Sequence, residues 1–247
     1  MHLLSHSERA TARASADTMI ERHAVLTEHA RAEGVYAASC WAPPPHLLAE
    51  YIGLRDHVAR LEADRSIVVP AALLARLRRD LRRMPLELRW IDTVHNLVTT
   101  EGKNAALTHL LKGSSYTASN VIGLIEDTGY SSVAAGNTAA NITANGGGSP
   151  ANGWNEAPSG TAAARGTPSY GTASGGSLAT SSSVSFSMLA TDTIKGAFQL
   201  IRSGGGTAPT TTVGNTSGAL YSAGLFTGGD RSVSNGDTLN VSYTASL

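Results

Sequence analysis

The chain has 247 residues, 41% of them hydrophobic but only 5% aromatic, and its 19 basic residues balance 19 acidic ones. That balance removes any bulk electrostatic attraction to nucleic acid or to anionic membranes. A single cysteine, Cys40, excludes an internal disulfide and a multi-cysteine zinc site, and no apolar run approaches the roughly 20 residues of a membrane-spanning helix.

Composition changes near Asp92. Before it every basic residue is arginine and glycine occurs only at 34 and 53; after it come all three lysines and most of the Gly, Ser and Thr. The change predicts an α+β protein: an Arg-rich helical module over 1–92 serving as anchor or oligomerisation unit, then an antiparallel β-sandwich or jelly-roll-like domain over 93–247.

In chain order, the opening "MHLLSHSERATARASADT" has too short an apolar core for a secretory signal. His2 and His6 can share a helical face, but no carboxylate or thiol completes a metal set. Ser15 or Asp17 can cap a helix running to about Arg31, with Gly34 at its C′ position. The prolines at 43–45 forbid helix and preset the next one. From there Leu47, Tyr51, Leu54, Val58 and Leu61 follow a four-three spacing, the seam of a packed helix pair. Pro70 opens a further helix at N1, with Leu74, Leu77, Leu81 and Met84 on its seam and Pro85 limiting it. Two such helices joined by "RSIVV" form a hairpin, and the seams fit intramolecular and trimeric packing equally.

The second of these helices carries Arg76, Arg78, Arg79, Arg82 and Arg83. A solvated face is the commonest use of such a run. If it binds, an acidic protein surface ranks ahead of nucleic acid, because no aromatics interleave with the arginines.

"LELRWI" (86–91) alternates and leads into the β module. "TTEGKNAALTHLLKGS" reads as one short helix with Leu107, Leu110 and Leu111 inside and Gly113 at its end. Strands follow at "NVIGLIE", "VSFSML", "TIKGAFQLI", "ALYSAGLF" and "DTLNVSYTASL", separated by turn formers. The glycine run "NGGGSP" reads as a turn. Trp154, Tyr116, Tyr130, Tyr170 and Tyr221 are too few for a stacking platform, so core or interface duty is expected of them. "SNGD" (234–237) reads as a hairpin that pairs the last strand with the run ending near Phe226. Leu239, Val241 and Tyr243 are few apolar positions for a last strand, and predict that the sheet is completed by a neighbouring chain.

The usual catalytic patterns are missing: there is no G-x-S-x-G elbow and no H-E-x-x-H, and "EGKN" lacks the upstream glycine and the Ser or Thr of a phosphate loop. Glu101, Glu126, Asp127, Glu156, Asp192, Asp230 and Asp237 are separated by turns, and no motif picks out an acid–base pair.

The stretches "HNLVTTEGKNAALTHLLKGSSYTASNVIGLIED", "TIKGAFQLI" and "GALYSAGLFTGGDRSVSNGDTLNVSYTASL" together resemble small structural proteins of tailed bacteriophages, over roughly 94–247. The resemblance implies a non-enzymatic capsid cement or decoration protein with a jelly-roll-like fold and no cofactor. Its partner would be the major capsid protein or another virion protein, with no small-molecule substrate, and it would assemble in the host cytoplasm as a homo-oligomer. The alternative is a fibre or tail component whose helices trimerise and whose β domain contacts host glycans. Candidate interface residues are Leu47, Tyr51, Leu54, Val58, Leu61, Arg78, Arg79, Arg82, Arg83, Leu239, Val241 and Tyr243.

Overall fold

The computed structural model describes residues 33–63, 69–111, 119–143, 153–157 and 164–246. The expected helix ending at Arg31, the His2/His6 pair, Gly113, Tyr116 and the glycine run at 146–148 lie outside these residues. In chain order the elements are β1 (Glu33–Ala42), α1 (Leu48–Ala63), α2 (Ala71–Arg83), β2 (Glu87–His95), β3 (Leu97–Val98), α3 (Thr100–Leu111), β4 (Asn120–Glu126), β5 (Ile142–Thr143), β6 (Trp154–Asn155), β7 (Ser177–Ala179), β8 (Val184–Ser187), β9 (Asp192–Ile201), β10 (Ala219–Leu225), β11 (Arg231–Val233) and β12 (Thr238–Ser246).

The strands form two antiparallel sheets. In the first, β12 lies between β1 on one side and β8 and β7 on the other, and β2 pairs with the outer side of β1. In the second, β9 is flanked by β4 and β10, with β3 beyond β10. Ile194 pairs with Glu126 on one side and Arg231 on the other, so β11 continues the line of β10 along β9. The strands alternate as period-2 patterns require. Tyr36, Cys40, Leu239 and Val241 from the first sheet meet Ile122, Leu124 and Ile194 from the second in one buried cluster. The mixed α+β sandwich expected from the sequence is the observed architecture.

Three local expectations are corrected. First, Gly34 does not end a helix; it lies in β1, which pairs with β12 over nine positions from Glu33↔Ser246 to Trp41↔Thr238. Strands from both sides of Asp92 therefore share one sheet, and the composition change there is not a boundary in the strand pairing. The helical hairpin sits in the connection from β1 to β2.

Second, "SNGD" makes no hairpin. β11 ends in the second sheet and β12 begins in the first, so the turn carries the chain across the sandwich. Gly236 has φ +95°, and among the described residues only glycines have positive φ. Positive φ at the second central residue alone is the type II pattern. A two-residue hairpin favours the primed turns, which match strand twist.

Third, Leu107, expected inside α3, faces outward and small residues make the buried contact, while the side chains of Leu110 and Leu111 lie outside the described residues. Leu107 is 53% exposed, while Gly102 and Ala105 are buried. The helix begins at Thr99, whose Oγ1 accepts the Gly102 N–H at 3.0 Å, a side-chain N-cap. Its inner face lies directly on β10, where a Cβ at residue 102 would stand 2.5 Å from Tyr221 Cα and 2.5 Å from its carbonyl oxygen. Gly→Ala within a helix ordinarily gains up to about 1 kcal/mol. Here the sign reverses: Gly102→Ala is expected to destabilise by about 1–3 kcal/mol through overpacking against backbone that cannot move aside. Thermal unfolding checks this, and a higher Tm than the parent would show that α3 stands off β10.

The second sheet is buried on both faces. Val121, Ile125, Phe198, Leu200 and Leu220 point away from the first sheet and are covered by Ala139, Ile142 and Trp154. Trp154 is fully buried with its ring 5.7 Å from Phe198, as its expected core duty requires. The first sheet leaves its outer face to solvent, so that face is mostly Ser, Thr and Asn.

The edges are blunted. β2 follows Pro85, carries an unmatched bulge residue at Arg89 between Cys40↔Trp90 and Trp41↔Leu88, and is covered from Thr93 onward by Thr227, whose N–H meets the Thr93 carbonyl at 2.9 Å. β4 is bridged by Glu156 and Gly166, and β3, β7 and β8 are two to four residues long. Bulges, proline and short strands are the usual defences against edge-to-edge pairing.

Candidate functional site

Among the described residues, the helical hairpin is the part of the chain that stands clear of the sandwich. Its placement starts at Pro43–Pro45, which direct the chain out of β1 into a short 3-10 turn (Pro45–Leu47) and then α1. The first turns of α1 rest on the β11–β12 turn, where a Cβ on Gly236 would lie 2.9 Å from Leu48 Cδ1 and 3.5 Å from Ile52 Cγ1. Arg55 fixes the contact: Nη1 donates to the Met188 carbonyl at 3.0 Å and Nη2 to Asn235 Oδ1 at 3.0 Å. Of the expected α1 seam, Tyr51 and Val58 are buried, while Leu47, Leu54 and Leu61 are half-buried.

α2 packs on α1 and buries none of its own residues. Pro70 is its N-cap rather than N1, one residue outside the expected start. Leu74, Leu77, Leu81 and Met84 are half-buried along the seam, and Leu73 is 46% exposed. Five arginines against one aspartate leave α2 with a net charge of four positive. Arg78 Nε meets Glu62 Oε1 at 2.7 Å and Arg76 Nε meets Asp80 Oδ2 at 3.8 Å. Both pairs are exposed and add little to stability. Arg79, Arg82 and Arg83 have no acidic partner among the described residues. Between the helices lies an open cleft of about 310 Å³, with Val58, Ala59 and Leu81 as its apolar walls and Arg55, Arg78, Arg82 and Glu62 around them. An apolar cleft rimmed by guanidinium groups offers bidentate hydrogen bonds to carboxylates beside a desolvated floor.

The arginines expected at an interface are therefore exposed, whereas Leu239, Val241 and Tyr243 are core residues, each at most 1% exposed. They complete the sheet within one chain, so the expectation that a neighbour supplies their burial is corrected. The Tyr243 hydroxyl accepts from Asn96 Nδ2 at 3.0 Å, and its ring lies 4.6 Å from that of Tyr36.

Most acids of the β domain serve the fold. Glu101 Oε2 accepts the N–H groups of Ala139 (2.9 Å) and Leu220 (2.6 Å). Asp127 and Asp230 share Lys195 at 2.8 and 2.7 Å. Burial alone would raise the Asp92 carboxyl, but Arg231, the Thr93 and Gly228 N–H groups and the Thr227 hydroxyl outweigh it and hold it below its ordinary value. Asp237 takes the Ser234 N–H at 2.9 Å together with Arg89, and faces the Cys40 thiol. Burial and that carboxylate push the Cys40 thiol up to about 12, which leaves it protonated and unreactive at neutral pH.

Glu156 and Arg165 form a fork-to-fork pair at 2.7 and 2.6 Å, both side chains nearly inaccessible. Sequence reasoning passed over this pair, as it did Arg55 and Asp92, because polar partners far apart in the chain leave no periodic trace. Among the described residues, no group of three or more His, Cys, Asp or Glu side chains converges as a metal site.

No protein-family model, curated protein or solved structure significantly matches this chain.

Proposed function

We propose that this protein is a non-enzymatic structural component of a tailed-bacteriophage particle, a capsid cement or decoration protein whose sandwich is held on the major capsid protein lattice by the basic hairpin. The observation that carries the reading is α2: an exposed helix of net charge four positive that packs on α1 and keeps three arginines without acidic partners among the described residues. The blunted sheet edges support it, since they direct association to the hairpin and to sheet faces. So does the use of most β-domain acids in holding the fold. Repetition over many lattice sites makes weak single contacts sufficient. The particle would be assembled in the host cytoplasm.

The test is co-sedimentation with purified capsids across a salt series. Replacing Arg78, Arg79, Arg82 and Arg83 with Gln keeps helix propensity and removes charge. The variant is expected to bind roughly tenfold or more weakly at low salt and to lose most of its salt dependence. Unchanged binding across the series would contradict the anchor.

A second reading, a fibre or tail component with trimerising helices, draws on the incomplete burial of Leu73, Leu74, Leu77 and Leu81. Light scattering separates the two: a stable trimer that retains host cells favours the fibre, and a chain that binds capsids but not cells favours the cement protein.

A further inference from the structure

The cleft between α1 and α2 has an aliphatic floor and a charged rim. Val58 and Ala59 of α1 and Leu81 of α2 form the floor. Around it stand Arg55, Arg78 and Arg82, and Glu62 is the one acid among the lining residues, so the lining carries a net charge of two positive.

The arginines are held to different degrees. Arg55 is pinned: its side chain is only 12% exposed, pairs with Asp56 at 2.8 Å, and donates to the Met188 carbonyl and to Asn235. Arg78 instead reaches from α2 across to Glu62 of α1 at 2.7 Å, with half of its side chain exposed. That bond links the two walls of the cleft but holds weakly, because an exposed ion pair gains little over hydration. A carboxylate arriving in the cleft exchanges with Glu62 at little net cost. Arg82 follows Arg78 by one helical turn, so the two guanidinium forks lie side by side on one face of α2.

The floor decides what brings the carboxylate. At about 310 Å³ the cleft is at the small end of binding pockets, and it receives a projecting side chain rather than a flat surface. A nucleotide base finds no aromatic ring among the lining residues to stack on, and its phosphates would meet Glu62. An Asp or Glu beside a Leu, Ile or Met satisfies both parts, with the apolar side chain on the floor and the carboxylate on a guanidinium fork.

We propose, on the reading of α2 as the anchor, that the cleft receives a short acidic segment of the partner protein in which an aliphatic residue is flanked by carboxylates, and that Glu62 keeps its place on Arg78 until that segment arrives. The aliphatic side chain seats on Val58, Ala59 and Leu81, and the flanking carboxylates take Arg78 and Arg82.

Fluorescence anisotropy of the full chain with three labelled probes tests this: the peptide Glu-Glu-Leu-Leu-Glu-Glu, the same peptide with Ser-Ser at its centre, and a short oligothymidylate. The leucine peptide is expected to bind about tenfold tighter than the serine peptide, the gain from taking one aliphatic side chain out of water. Ala59→Met fills the floor, leaves every charge in place and is expected to erase that preference. Glu62→Gln keeps helix propensity, frees Arg78 and is expected to tighten the leucine peptide about threefold. Equal binding of the two peptides, or none, overturns the aliphatic site. Tighter binding of the oligothymidylate assigns the arginines to nucleic acid and overturns it as well. A Glu62→Gln variant that binds no better overturns the exchange. Capsid co-sedimentation keeps the two readings apart. If the four-arginine variant releases capsids while Ala59→Met holds them as the parent does, α2 is the anchor but the cleft is not its contact, and the inference fails. If the peptides discriminate and the four-arginine variant still holds capsids, the cleft stands and the anchor falls.

Discussion

A chain truncated after Asp237 is expected to show no cooperative unfolding transition and to recover no sandwich. β12 is a central strand: β1 pairs along one side of it and β8 and β7 along the other, so its loss separates β1–β2 from β7–β8. Leu239, Val241 and Tyr243 are at most 1% exposed, and burying each such side chain is worth about 1.5–3 kcal/mol. Their loss alone removes roughly 5–9 kcal/mol, before Tyr36 and Phe186 are counted as uncovered, from a total that for most domains is only 5–15 kcal/mol. Val241→Asp reaches the same end by burying an unpaired carboxylate between the sheets. Gly236→Val, one turn earlier, is milder: strain at φ +95° costs about 1–3 kcal/mol, and the protein still folds. Circular dichroism on heating reads all three. A truncated chain that stays soluble and melts cooperatively would make β12 an accessory arm.

Arg165→Leu is expected to destabilise by about 3–5 kcal/mol, more than any single surface change. Arg165 is fully buried; it clasps Glu156, donates from Nη1 to the Thr210 carbonyl at 3.3 Å, and lies 5.5 Å from the centre of the Phe198 ring. Gly214 N donates to the same carboxylate at 2.7 Å. The pair thus ties the segments around 165 and 210–214 to β4 through the Ile125↔Glu156 bridge. Burial raises the Glu156 carboxyl, and Arg165 and Gly214 oppose that. With Arg165 gone, Glu156 is raised further and takes up a proton, so the loss should shrink as pH is lowered. The double variant Arg165→Leu with Glu156→Leu removes both charges and is expected to recover much of the stability. Urea midpoints at two pH values decide this. If the double variant were no better than the single one, the loss would come from packing and not from an uncompensated charge.

The sequence was readable where local pattern and tertiary role agree. The runs of β4, β8, β9, β10 and β12 are short apolar stretches between turn formers, and each is a strand. The prolines at 43–45 and at 85 bound the hairpin as expected. β1 escaped because its inward residues after Tyr36 are Ala38 and Cys40, whose small side chains give a weak period-2 signal, and because Gly34 fitted a helix cap equally well. The partner of β12 lies some 200 residues away at β1, a pairing no local window contains. "SNGD" was misread because Asn-Gly serves type II and type I′ turns alike, and only the sandwich topology selects between them. Of the candidate interface, the α2 arginines were visible as a charge run, and their exposure follows from a helix that buries no residue of its own. Leu107 of α3 misled because a helix lying flat on a strand needs small residues at the contact.

Imaging purified virions at a resolution that separates strands tests the central claim most directly. Density for a two-sheet sandwich repeated on the icosahedral shell is expected, joined to the capsid protein through a two-helix projection with α2 against an acidic surface. Virions whose shell carries no such density would contradict it.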